Sequence, residues 1–203
     1  LHNRMTELKR KGYENMIPYV SSKIANILAK YTSRQLDSDD IAILAYGMEC
    51  ILNITITTFI ICIYSLYFHT VFISVTWMIC FYTLRTLMGG FHASSHFKCI
   101  ILSISTCILL TQLSAILNFH LIHNIFIFAF CILFVFHFAP VSSIKNNAAS
   151  SEKENHCRIQ LIMIITILFT LTLLPFKSSI LTLTTLTVTL LAALELFRRK
   201  FFH

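Results

Sequence analysis

Six stretches, near residues 41–66, 70–88, 99–118, 121–139, 159–174 and 178–197, are apolar and, at roughly 17–25 residues per crossing, long enough to span a bilayer. No other feature restricts the fold so severely. Backbone inside lipid must satisfy its own hydrogen bonds, either as helices or as a closed barrel. With 4 Gly and 3 Pro in 203 residues the chain lacks the turns a barrel needs, so an all-α integral membrane protein with six transmembrane helices is predicted. The charged fraction, 12%, is about half that of soluble domains, and the mean hydropathy is +0.74. The net charge of +7 does not point to nucleic acid, because no basic-aromatic groove stands out and the cations lie between apolar segments.

Those cations also set an orientation. Arg4, Lys9, Arg10, Lys11, Lys23, Lys30 and Arg34 precede the first span, Arg85 and Lys98 flank the second connection, Lys145, Lys153 and Arg158 fill the fourth, and Arg198, Arg199 and Lys200 follow the last span. Connections one and three carry no Lys or Arg, and the fifth carries only Lys177. Basic connections alternating in this way place both termini, the second connection and the 140–158 loop in the cytoplasm of a multi-pass cell-membrane protein. One membrane domain, 1–203, is expected. It comprises an interfacial region at 1–38, the bundle at 41–197, the 140–158 loop and a tail at 198–203. The polar, basic start is not the pattern of a cleavable signal peptide. Ile17, Val20, Ile24, Ile27, Leu28 and Tyr31 recur at helical spacing, which reads as an amphipathic helix lying on the inner leaflet or docked on the bundle. Asp37, Ser38, Asp39 and Asp40 supply capping oxygens for the first span.

Chemistry concentrates between spans two and three, where an arginine (Arg85), a glycine pair (Gly89-Gly90), His92, His96 and Cys99 fall within fifteen residues, 85 to 99. No acid lies between Glu49 and Glu152, which disfavours a two-carboxylate hydrolase, and no HExxH string exists for a zinc protease. A thiol with an imidazole remains, the arrangement of nucleophilic acyl transfer. Cys99 opens span three, where a helix N-terminus and Lys98 provide a positive setting that mid-membrane Cys107 and Cys131 lack. The 7 Cys show no disulfide framework.

Either histidine can serve as base. His92 and Cys99 are two helical turns apart, about 10 Å in a continuous helix, so their pairing requires the chain to fold back at Gly89-Gly90. His96 stands at i, i+3 to Cys99 and meets it on one helix, which local geometry slightly favours. His92, His96 and Cys99 also share the spacing of a zinc face, without a second ligand cluster, or are ordinary interfacial residues. Arg85 either snorkels to the interface or orients the site and receives substrate carboxylates. Glu49, two turns inside span one, is expected to face the bundle and pair with Arg85 or a histidine. The N–H groups of Gly89 and Gly90 are candidate oxyanion donors.

Arg85, Gly89-Gly90, His92-Ala93 and Cys99, with Tyr46-Gly47-Met48-Glu49 and, more loosely, Ala139-Pro140 followed by Lys145, resemble the pattern of the AgrB family, accessory gene regulator protein B of quorum sensing. The resemblance covers nearly the whole chain. It implies a membrane cysteine endopeptidase with His92 as general base and Cys99 as nucleophile, supported by Arg85, Gly89, Gly90, Glu49 and Lys145, and needing no metal or cofactor. The implied substrate is an AgrD-like propeptide, cleaved near its C-terminus and cyclised to a thiolactone. Membrane lipid is the other implied partner, and a homodimer is compatible with the pattern. The competing class is a non-enzymatic small-peptide exporter or membrane scaffold, which would more often show internal repeats and broken helices.

Overall fold

The computed structural model of the chain describes residues 2–31, 37–89, 96–141, 151–174 and 179–202. Those residues form seven helices: α1 (His2–Tyr31), α2 (Ser38–Tyr67), α3 (Val71–Met88), α4 (His96–Ile116), α5 (Leu121–Phe138), α6 (Ser151–Thr172) and α7 (Ser179–Phe202). The last six are long and apolar enough to cross a membrane, so the all-α, six-span architecture expected from hydropathy is the one adopted.

Local chemistry sets several boundaries. Asp37 caps α2 as expected, its Oδ1 accepting the Asp40 N–H at 2.8 Å while its carbonyl accepts Ile41 N–H at 3.1 Å. Between α2 and α3 the chain turns on His69, whose φ of 55° is positive, and the Thr70 N–H closes onto the Ser65 carbonyl at 2.9 Å. Pro140 follows the C-cap residue of α5 and supplies no N–H to extend the helix. α6 begins at Ser151, well before the apolar stretch near 159, because Glu152, Lys153 and Glu154 are good helix formers and nothing breaks the helix there. Hydropathy locates the part of a helix that suits lipid, not where helical backbone begins. α1 likewise extends N-terminal to its amphipathic stretch and runs through Pro18.

The helices group into two compact units, Leu1–Tyr64 with Ala93–Ser105, and Ser65–His92 with Thr106–His203. In the first, Ile17, Ser21 and Ala25 form a narrow buried stripe on α1, whereas Val20, Ile27, Leu28 and Tyr31 stay uncovered. Uncovered apolar area of this kind suits an interfacial helix whose solvent is lipid.

The second unit is built around α7. Its Ser179 Oγ donates to the Leu117 carbonyl at 2.7 Å, and Thr182 Oγ1 donates to Asn124 Oδ1 at 2.9 Å, which brings the starts of α5 and α7 together. Thr184, Thr185 and Thr189 return their hydroxyls to carbonyls one turn back, at 2.6, 2.8 and 2.8 Å, so these three buried hydroxyls are satisfied within α7. Cys131 of α5 hydrogen-bonds Thr189, and Cys107 hydrogen-bonds Ser74 of α3. Trp77 and Phe81 of α3, both fully buried, stack with centroids 4.6 Å apart.

Candidate functional site

The end of α3 carries the first part of the motif. Arg85 is half-buried in the last turn, and its guanidinium carbon lies over the Phe81 ring, 5.5 Å from the centroid. Phe81 precedes it by one turn, so the side chain folds back toward the start of α3 rather than reaching past its end. The direction is opposite to that of a snorkelling arginine, and cation–π contact with a buried ring offsets part of the lost hydration.

Gly89 ends the helix. Its φ of 69° and ψ of −151° fall in a region essentially restricted to glycine. Its N–H donates to the Arg85 carbonyl at 3.1 Å, so this amide is committed to capping α3 and is removed from the oxyanion donors proposed from the sequence. The requirement for glycine is doubled, because a Cβ here would collide with the Val141 carbonyl oxygen. Val141 pairs with Gly89 in a single parallel bridge, and its N–H donates to the Met88 carbonyl at 2.9 Å. One residue before the intervening Pro140, the carbonyl of buried Ala139 accepts from Arg158 Nε at 3.0 Å. Helix termini leave carbonyls without intrahelical donors, and here the end of α3 is satisfied from beyond α5, while the end of α5 is satisfied by a side chain two turns into α6.

Cys99 lies in the first turn of α4, as expected, and is half-buried; Lys98 beside it is exposed. All seven cysteines are free thiols, and Cys80, Cys107 and Cys131 are buried inside the helical bundle. The position of Cys99 is therefore the one among these four that combines a helix start with access from outside. Glu49 is half-buried on α2 and belongs to the same unit as Cys99, whereas Arg85 and Gly89 belong to the other. Gly47 is exposed, with open space where a Cβ would point. His92, Gly90, Lys145 and the side chain of His96 lie outside the described residues, and with them the choice between the two bases. Among the described residues no group of three His, Cys, Asp or Glu side chains could hold a metal ion.

Sequence reasoning missed Val141 and Arg158. The only local signal was Ala139-Pro140, an apolar helix end followed by a residue without an N–H, which says that the next amide must look elsewhere for its acceptor.

Comparison with known proteins gives one family. The sequence model of the family described as Accessory gene regulator B matches residues 21–197, taking in α2 to α6, most of α7 and every motif residue. No curated protein and no solved structure matches the chain.

Proposed function

The chain belongs to the accessory gene regulator B family of membrane proteins that process quorum-sensing propeptides, and on that premise we propose that it is a cysteine endopeptidase that also closes its product into a ring. The observation that carries this reading is the family match spanning the whole Arg85-to-Cys99 motif. The place of Cys99 in the first turn of α4 supports it, since a helix start favours an anionic sulfur.

In the proposed reaction His92 takes the proton of Cys99, and the thiolate attacks a carbonyl near the C-terminus of an AgrD-like propeptide. The N–H groups opening α4 and that of Gly90 stabilise the oxyanion, since the Gly89 amide is already used. Collapse of the tetrahedral intermediate breaks the C–N bond, and His92 returns its proton to the leaving amine, releasing the C-terminal tail. Arg85 orients the site, Glu49 is its structural or catalytic carboxylate, and Lys145 attracts the acidic tail. An internal cysteine of the propeptide then attacks the acyl-enzyme thioester, giving up its proton to His92. A new thioester forms as the old one breaks, and Cys99 regains a proton from His92.

Thioester exchange is close to even-handed, so the partition between ring closure and hydrolysis depends on proximity. A substrate thiol held beside the acyl group reaches effective concentrations of up to about 10⁵ M or more, far above the ~55 M of water. The active face and both termini are assigned to the cytoplasm by the alternation of basic connections.

The test co-expresses the chain with a candidate propeptide and follows cleavage on a gel. Cys99→Ala and His92→Ala each lower processing by roughly 10³-fold or more. Retained cleavage in both variants sinks the peptidase and leaves the exporter or scaffold. Loss with His96→Ala but not with His92→Ala reassigns the base.

A further inference from the structure

His92 follows Gly89 by three positions, so the imidazole-bearing residue is tethered within about 11 Å of Gly89. Whatever fixes Gly89 therefore fixes the origin from which His92 is presented. Besides its own N–H bond to the Arg85 carbonyl, two hydrogen bonds and one close approach do so. The Val141 N–H holds the Met88 carbonyl at 2.9 Å, the Val141 carbonyl lies against the Cα of Gly89, and Arg158 Nε holds the Ala139 carbonyl at 3.0 Å two residues before Val141.

Without Arg158 the Ala139 carbonyl, on a residue 1% exposed, has lost its donor, and among the described residues the segment from Ala139 to Val141 keeps the Ala139 N–H bond to the Val135 carbonyl and its contacts with α3. We infer that Arg158 is a positioning residue of the processing reaction: through Ala139 and Val141 it locks the end of α3 so that the motif's imidazole is delivered to the thiol. The inference rests on the Cys99/His92 reading above. The guanidinium does not touch substrate in this assignment. Its Nε–H acts as a peg, and a backbone carbonyl as the socket.

The signature of such a role is a fall in kcat at unchanged KM, because misplacing a base by about 1 Å costs up to roughly 100-fold while leaving substrate binding elsewhere intact. The full chain, purified into lipid vesicles, is assayed with a synthetic propeptide whose cleavage wild type supports and Cys99→Ala abolishes. Arg158→Met is expected to lower kcat by roughly 10–100-fold with KM changed less than about twofold. Arg158→Lys, which can still donate one hydrogen bond, recovers part of that loss. Val141→Pro, which deletes the N–H given to Met88, falls into the same range, and the Arg158→Met/Val141→Pro double variant is no slower than the slower single one.

If Arg158→Met cleaves like wild type while Cys99→Ala is dead, the positioning role is wrong and the peptidase reading stands. A rise in KM at constant kcat makes Arg158 a substrate-binding group and also overturns the inference. So does an additive double variant, since independent losses mean the two hydrogen bonds do not act in series. Cleavage surviving Cys99→Ala removes the parent reading and this inference together.

Discussion

α2 and α7 have the same mean hydropathy over their most apolar windows, 1.9, yet 17% of the window is buried in α2 and 56% in α7. What separates them is the kind of residue. The buried face of α7 carries Thr182, Thr184, Thr185, Thr189 and Glu195, whereas α2 exposes Ile43, Ile51, Phe59, Ile63 and Leu66. In water the apolar surface would turn inward. In lipid the hydrocarbon solvates isoleucine and phenylalanine as well as a protein core does, so no transfer energy drives them together. Small hydroxylated residues pack closely and share hydrogen bonds, and a buried carboxylate, here bonded to Arg198 at 3.0 Å, stays inside the protein.

The widest expected gap between the two environments comes from removing a large side chain. Trp77→Ala empties a site that is 0% exposed, and the lost packing destabilises by about 3 kcal/mol, the low end of the range for such truncations in water. Phe59→Ala on α2, where the ring is 66% exposed, changes stability by less than about 0.5 kcal/mol because lipid refills the space. Unfolding midpoints in SDS from mixed micelles measure both. Equal losses would mean that the exposed face of α2 is covered by protein in the membrane. Trp77→Phe sharpens the point: its Nε1 has no partner among the described residues, so loss of the N–H is nearly neutral and only the volume change remains.

Next in size is Gly89→Ala. Holding alanine at φ 69°, ψ −151° costs about 1–3 kcal/mol, and the new Cβ must push the Val141 carbonyl aside. Stability falls by at least about 2 kcal/mol and processing is lost with it. Normal processing by this variant would show that the end of α3 tolerates a different exit direction. A smaller effect, about 1 kcal/mol, is expected for Asn124→Leu, which deletes the interhelical bond from Thr182 Oγ1. Thr182→Val should cost a similar amount, and the pair together little more than either, since both remove one bond.

This inversion between lipid and water also decides what can be read from sequence. Six spans were legible because bilayer thickness fixes length and hydropathy, and the cap at Asp37 because a carboxylate three residues before a backbone N–H is a local pattern. Cys99 at the start of α4 was legible for the same reason, lying where polar sequence gives way to an apolar run. That α7 is central was not legible from its hydropathy, which equals that of α2. Its clustered threonines were a signal, but one that has meaning only once the solvent is known to be lipid. The direction of Arg85 was left open by the sequence, because the ring it lies over, one turn back, is known only from the structure. Val141 and Arg158 were invisible because the bonds they make join helix ends far apart along the chain, and hydrogen bonds between termini follow from packing rather than from spacing.

The smallest effect, and the one most specific to the contrast, concerns a second glycine, on α2. Gly47 lies on exposed α2, and nothing stands within 4 Å of where its Cβ would be. Alanine there loses less conformational freedom on helix formation and meets no neighbour, so Gly47→Ala raises stability by up to about 0.5–1 kcal/mol, less within a bilayer, where the helix is already favoured. The same substitution thus has opposite signs at positions 47 and 89, decided in one case by open space and in the other by a carbonyl oxygen. A loss of stability at position 47, measured in lipid rather than detergent, would mean that another helix, from this chain or a second copy, packs against that glycine in the membrane. The exposed face of α2 would then be an interface rather than a lipid-facing surface.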